Sequence, residues 1–245
     1  MDKLLYTAMS GANRSMLSQQ VHANNLANVN TTGFRADYER ARSYTIGGDG
    51  LGTRQLAVPQ GTGSKFAAGT LEHTGNELDV AIRGGGMFAV LVNGQERYTR
   101  AGELRVDEKG ALMLGQHPVA DMDGQAIEIP DYRSLNITDQ GRISIMPDSG
   151  GEVLLEVATL KRVKPEPGSL IKGEDGFFRP RANTGAIAGD DTVMTASGFL
   201  ESSNVNPVEE MVAILSTSRQ FEMQVKMMKT AEELSQASTR LIRPT

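Results

Sequence analysis

The most regular hydrophobic pattern lies near the C-terminal end of the chain, between Asn206 and Leu241. Asn206 suits the N-cap of a helix, Pro207 its first turn, and Glu209 completes a start that resembles a capping box. Apolar and small residues then recur at alternating spacings of three and four: Met211, Ile214, Ser218, Phe221, Val225 and Met228. This spacing predicts a long α-helix with a mostly apolar seam along one side.

A second helix is predicted over the first thirty or so residues, where the same alternation recurs and Gly and Pro are nearly absent. Its repeating positions are Leu5, Met9, Ala12, Met16, Gln19, Ala23 and Leu26. An isolated helix is only marginally stable in water, whereas each large apolar side chain that becomes buried contributes roughly 1.5–3 kcal/mol. We therefore expect the two helices to pair, within one chain or between chains.

The predicted helix seam consists of five residues from each helix. They are Leu5, Met9, Ala12, Met16 and Leu26 of the first helix and Met211, Ile214, Phe221, Val225 and Met228 of the second. Such pairing would give a coiled-coil-like module. An ordinary two-helix hairpin that caps a monomer would bury the same residues, so the pattern leaves both alternatives open.

Between the helices the helical period disappears. Residues 36–69 are rich in glycine and predict an extended connector, and residues 70–198 alternate short β-rich runs with turn signals. One apolar run, residues 87–92, precedes Asn93-Gly94, the dipeptide best suited to a type I′ hairpin turn. The predicted fold class is α+β, with an N-terminal helix in 1–35, the connector in 36–69, a mainly-β domain in 70–198 and a C-terminal helix in 199–245.

Composition and charge narrow the range of partners. Lys and Arg total 25 against 30 for Asp and Glu, which gives a net charge of -5 and argues against nucleic acid. No apolar stretch approaches the roughly 20 residues that span a bilayer, so we expect no membrane insertion. Asn13 and Arg14 interrupt the N-terminal stretch where a secretory signal would be apolar, and we expect no cleaved signal peptide.

Candidate chemistry is sparse. His22, His73 and His117 occur singly and the chain has no Cys, so the sequence predicts no metal site and no cofactor. The glycines at 84–86 lack the Lys-Ser/Thr of a phosphate loop, and we interpret them as a point of close backbone packing. We expect neither a small-molecule ligand nor enzymatic activity.

Several longer blocks carry a family resemblance. Residues 23–35 (ANNLANVNTTGFR), 74–82 (TGNELDVAI), 98–102 (YTRAG) with the turn at 107–110, and 198–212 (GFLESSNVNPVEEMV) leading to 219–222 follow one another along the chain. Together they resemble the flagellar basal-body rod and hook family. The opening residues 1–12 resemble members that form the proximal rod more than those that form the distal rod.

The resemblance implies a structural role in bacterial motility. Family members stack helically around a central channel, with their paired terminal helices forming the inner tube, and are exported by the flagellar type III apparatus without a cleaved signal. The implied partners are further copies and neighbouring rod proteins, and the implied location is the rod in the periplasmic space. Polar contacts near subunit joints are then expected at Asn24, Asn25, Asn28, Asn204 and Asn206.

Three alternatives remain at this stage. The chain could be a distal rod or hook-family axial protein. It could be a secreted β-rich glycan-binding module, although the absence of Trp and an aromatic content of 5% leave little for an aromatic platform. It could also cleave peptidoglycan, with Glu103 or Asp107 as the acid, although both lie beside turn residues where burial is not expected.

Overall fold

A computed structural model describes residues 2–45, 55–148, 153–166, 168–181 and 185–242. The chain divides into two compact units. One, called here the helical unit, combines Met1–Val29, Ala36–Lys65 and Val205–Thr245. The other, called the β unit, combines Asn30–Arg35 and Phe66–Asn204. Both ends of the chain therefore belong to the same unit.

In the described part of the helical unit, two long helices accompany one antiparallel pair of strands. Helix α1 spans Asp2–Ala27 and helix α2 spans Pro207–Ile242. Strands β1 (Asp37–Thr45) and β2 (Gln55–Ser64) pair antiparallel, with Asp37 opposite Ser64. These two strands lie within the stretch for which the sequence predicts an extended connector. The domain boundaries stated above stay a prediction.

The helices pack against each other in antiparallel directions. His22 and Asn25 near the end of α1 contact Glu210 in the first turn of α2. A side chain at Gly11, further back along α1, would come within 2.9 Å of Gln224, further forward along α2. Moving back along α1 from Asn25 to Gly11 therefore corresponds to moving forward along α2 by the same number of residues, from Glu210 to Gln224, as expected for antiparallel helices.

The prediction of a coiled-coil-like module is wrong. The buried positions are small or polar: Ala8, Ala12, Ser15 and Asn25 on α1, and Glu210, Thr217 and Ala231 on α2. Most of them lie one residue before a position of the predicted seam. Side chains as short as Ala and Ser cannot act as knobs between large residues of a facing helix, which is the packing that defines a coiled coil. The larger apolar residues flank this line of contact and are mostly exposed.

The β unit is built from short antiparallel strands. Its strands are β3 (Leu71–His73), β4 (Val80–Arg83), β5 (Met87–Val92), β6 (Gln95–Thr99), β7 (Leu104–Val106), β8 (Leu112–Leu114), β9 (His117–Pro118), β10 (Tyr132–Ile137), β11 (Arg142–Pro147), β12 (Leu155–Thr159), β13 (Arg162–Val163), β14 (Leu170–Lys172), β15 (Phe178–Pro180), β16 (Met194–Ser197) and β17 (Phe199–Glu201). The largest sheet has the order β13-β5-β6-β15-β14. Smaller sheets have the orders β10-β11-β12, β7-β8-β9, β16-β4 and β17-β3.

The hairpin between β5 and β6 confirms the turn predicted at Asn93-Gly94. Val92 pairs with Gln95, so the loop contains two residues. Asn93 and Gly94 have φ angles of 51° and 74°. A two-residue loop with two positive φ values matches the twist of the strands it joins.

Strand β5 lies between two hydrophobic clusters because its side chains alternate between its faces. Phe88 and Val90 pack into the larger cluster, with Ile143 and Leu160 among its members. Met87 and Ala89 pack into the smaller cluster. A continuous apolar run is what a strand buried on both faces requires.

Candidate assembly surface and buried ion cluster

The predicted seam residues are mostly not buried in the isolated chain. Ala12 is buried, and Leu26, Ile214, Phe221 and Met228 are half-buried. The other five are exposed: Leu5 at 39%, Met9 at 43%, Met16 at 56%, Met211 at 50% and Val225 at 42%. The structure therefore places half of the predicted seam where a second molecule could contact it.

Helix α2 carries an exposed apolar stripe, defined here as Val208, Met211, Val212 and Leu215. Their side chains are 50–66% exposed. The spacing of three, four and seven residues places them on one face of the helix. On α1, Leu4, Leu5, Tyr6 and Met9 are also exposed. Fully burying such a side chain contributes roughly 1.5–3 kcal/mol, and about half of that gain remains for side chains that are already half covered, so these helices favour association.

The side chain of Asn25 on α1 forms hydrogen bonds with both strand β1 and helix α2. Its side-chain amide donates to the Asp37 carbonyl oxygen at 2.8 Å, and its side-chain oxygen accepts from the Asp37 amide at 2.8 Å. The same amide lies 3.3 Å from Glu210, whose other carboxylate oxygen is 2.5 Å from His22 Nδ1. Asn25 is buried, and these contacts hold its side chain within the helical unit.

The other candidate asparagines also have contacts within the chain. Asn206 caps α2 as predicted, since its side-chain oxygen accepts from the Val208 amide at 3.1 Å. Asn28 donates to the Asn24 carbonyl at 2.9 Å. In the β unit, Asn204 donates to the Ala67 carbonyl at 2.8 Å. Their role at subunit joints stays a prediction.

The β unit contains a buried ion cluster that the sequence analysis did not identify. Glu201, at the end of β17, lies 2.6 Å from an Arg35 Nη2 and 3.2 Å from Arg100 Nε. The Gly69 amide donates to the same carboxylate at 2.7 Å, and the Gly33 amide donates to the Glu201 backbone oxygen at 2.7 Å. The three charged side chains are at most 3% exposed.

All three charged residues of this cluster lie in the sequence blocks that resemble the family. Arg35 ends the block 23–35, Arg100 lies in the block 98–102 and Glu201 lies in the block 198–212. In the sequence, each of these blocks carries the family resemblance alone. The structure adds that the three blocks meet at one carboxylate.

The cluster contains two cations for one anion. Burial lowers the pKa of Arg100 to about 10; Glu201 counteracts the shift and Arg35 adds to it. Arg100 Nη2 donates to the Gly84 carbonyl at 2.5 Å. The Nη1 atoms of Arg35 and Arg100 are buried and have no hydrogen-bond partner among the described residues.

The acids considered for glycan cleavage lie at the surface. Glu103 and Asp107 are both exposed. Asp107 accepts from the backbone amides of Lys109 and Ala111 at 2.9 and 2.8 Å, as expected for a turn residue. Among the described residues, no three metal-binding side chains are grouped closely enough to hold an ion, and neither helix has an apolar window suited to crossing a membrane.

Comparison with known families matches three parts of the chain. Residues 5–35 match the flagella basal body rod protein family, residues 81–145 the D1 domain of the flagellar hook protein FlgE/F/G family, and residues 196–241 the C-terminal region of the flagellar basal body rod FlgEFG proteins. The first and third matches include Arg35 and Glu201 of the ion cluster. The chain belongs to the flagellar basal-body rod family.

Individual relatives show which rod proteins the chain is similar to. The flagellar basal-body rod protein FlgF of Salmonella typhimurium is 37% identical over 240 residues, which is 95% of each chain. The protein of the same name from Escherichia coli is 36% identical over 99% of each chain. The flagellar basal-body rod protein FlgG of Bacillus subtilis is 30% identical over 98% of each. The chain is a structural subunit of the flagellar rod, and the basal body is its location.

Proposed function

We propose that this chain is a subunit of the proximal rod, stacked helically around the export channel as part of the shaft that transmits motor torque. Two relatives named FlgF are 36–37% identical to the chain and two more are 30–31% identical, whereas four relatives named FlgG are 29–30% identical. The opening residues, which resemble proximal members of the family, support the same position.

The exposed apolar stripe on α2 carries the assembly part of the proposal. The four large side chains of the stripe remain 50–66% exposed, whereas small or polar residues are buried in the contact between α1 and α2. A neighbouring subunit that presents a different surface would cover it. Contacts between unlike surfaces generate an open helical filament instead of a closed ring, which is the arrangement a shaft requires.

The partners and the export route are proposed on the family resemblance. The partners are further copies of the chain and the adjacent rod proteins. Export through the flagellar type III apparatus, without a cleaved signal, would deliver the chain to the rod in the periplasmic space. The role is structural and not catalytic, which agrees with relatives that are named as rod proteins.

Deletion of the gene tests the proposed function directly. We expect loss of swimming and basal bodies whose rod stops short by electron microscopy, with the chain present in parental basal bodies by mass spectrometry. The rod proteins that remain would define its place in the order. Normal swimming of the deletion strain, with parental basal bodies that lack the chain, would refute the assignment.

Two matched variants test the stripe. Leu215→Glu places a charge in the stripe, and Gln220→Glu places the same charge at an exposed position of α2 that does not share the spacing of the stripe. We expect Leu215→Glu to abolish swimming and Gln220→Glu to retain it, with both purified chains showing the wild-type Tm. Equal swimming of the two strains would argue against the stripe as a subunit contact.

A further inference from the structure

The β unit contains a cavity beside the ion cluster. Its volume is about 260 Å³. Arg35 and Arg100 line it together with Phe66, Met87, Gly85 and Gly86, and Lys164, Pro165 and Glu166 complete the lining. The volume is below the roughly 300–1,000 Å³ of typical small-molecule pockets, and it suits a group the size of one side chain.

The charge of the lining is unbalanced. Arg35 and Arg100 share the single carboxylate of Glu201, which leaves one positive charge in excess within a buried cluster. Lys164 and Glu166 carry opposite charges and are exposed, so they do not change this balance. One excess positive charge matches one monovalent anion.

The two arginines that line the cavity also have hydrogen-bond donors without partners among the described residues. These donors are the buried Nη1 atoms of Arg35 and Arg100, and Oε2 of Glu201 likewise has no hydrogen-bond partner among the described residues. Two unpartnered donors thus stand against one unpartnered acceptor, and buried polar groups in native proteins nearly always have a partner. Guanidinium donors match the geometry of both carboxylate and phosphate, and the single excess charge favours the singly charged carboxylate.

From these three observations we propose that the cavity receives the carboxylate of an Asp or Glu side chain from a neighbouring rod subunit. The inference rests on the proposed function, since it requires neighbours in a rod. Further copies of this chain can supply such a group, because it carries 30 acidic residues. The contact would fix the β unit of one subunit to the next through a charge pair shielded from water.

Gly85 offers a way to block the cavity without touching the ion cluster. It lines the cavity, and a Cβ built on it meets nothing within 4 Å. Gly185 is a matched control: its Cβ is equally free, and it does not line the cavity. We therefore compare Gly85→Leu with Gly185→Leu in the full chain.

The first experiment measures carboxylate binding to the purified chain, with acetate as the probe. The Tm is recorded in sodium acetate and in sodium chloride at equal ionic strength. We expect acetate at ten times its Kd to raise the Tm of wild type and Gly185→Leu by about 3 °C, and Gly85→Leu to show no rise. Equal responses of all three chains would overturn the carboxylate site.

The second experiment tests the source of the carboxylate in cells. A photo-crosslinking phenylalanine analogue at position 166, an exposed residue of the cavity lining, should join the chain to another rod subunit at a segment that contains Asp or Glu, and the same analogue at position 185 should not. Acetate binding without any crosslink to a rod protein would assign the cavity to a free small carboxylate and overturn the contact between subunits.

Swimming of complemented deletion strains separates this inference from the proposed function. We expect Gly85→Leu to lose swimming and Gly185→Leu to keep it. If the deletion stops the rod but Gly85→Leu builds it normally, the cavity inference fails and the rod assignment stands. If the deletion strain swims normally, the rod assignment itself fails.

Discussion

Replacing Glu201 by Gln tests whether the ion cluster holds the β unit together. The carboxylate accepts hydrogen bonds from Arg35 and the Gly69 amide and forms an ion pair with Arg100. In the variant, an amide NH2 replaces one oxygen and faces a donor, while two guanidinium groups remain buried with no counter-charge. The side chain keeps its shape, so the effect reports charge and hydrogen bonding and not a cavity.

The expected cost is large because the charges are buried. Removing one partner of a buried ion pair costs about 3–5 kcal/mol, since the remaining charge cannot regain its hydration. For a chain of this size, each kcal/mol corresponds to about 2–4 °C in Tm, so we expect a drop of about 6–20 °C. The measurements are thermal denaturation for the Tm and urea denaturation for the free energy of unfolding, with hydrogen exchange of peptides from residues 80–92 to report on the β unit alone.

A surface ion pair serves as the control. Asp148 lies 3.9 Å from Arg133, and the two side chains are 74% and 69% exposed. Asp148→Asn makes the same chemical change and should alter the free energy of unfolding by about 1 kcal/mol or less. If Glu201→Gln also changes it by no more than that, the cluster does not stabilise the fold and the reasoning is wrong.

Two further predictions concern the β unit. Burial raises the pKa of Tyr98 to about 12, so the folded protein keeps this phenol neutral while the unfolded chain ionises it near pH 10. The free energy of unfolding of the wild type should therefore fall by about 2–3 kcal/mol as the pH rises from 10 to 12, and the Tyr98→Phe variant should lack this part of the decline. Parallel curves of unfolding free energy against pH for the two proteins would contradict the assignment. Gly33 and Gly115 have φ angles of +67° and +61°, but a Cβ on Gly33 would meet the backbone of Arg100 whereas one on Gly115 meets nothing within 4 Å. Gly115→Ala should cost about 1–2 kcal/mol in denaturant titrations and Gly33→Ala about 2–5 kcal/mol, and equal costs would show that packing at Gly33 is unimportant.

Features that depend on neighbouring residues could be predicted from the sequence. The helix that starts at the Asn206 cap and the hairpin turn at Asn93-Gly94 both follow from local backbone chemistry. The family blocks along the chain likewise indicated a rod protein, and the relatives confirm it. These features need no knowledge of which distant residues meet.

The buried face of each helix was decided by the tertiary structure. Periodicity predicted burial of Met9 and Met16, but Ala8 and Ser15, one residue earlier, lie in the contact between the helices. The buried set and the predicted set recur along the helix with the same spacing. Hydrophobicity alone therefore predicts burial of the set with the larger side chains. The structure instead uses the smaller residues within the chain and leaves the larger ones exposed.

The ion cluster also required the tertiary structure. Arg35 and Glu201 are separated by 166 positions, and no sequence rule pairs one Arg with one Glu among 25 basic and 30 acidic residues. Their charges stabilise each other only where the fold excludes water, because in bulk water the attraction between two such charges is about 1 kcal/mol. The sequence supplied the charged side chains within recognisable blocks, and the fold decided that they meet in a buried site beside a cavity.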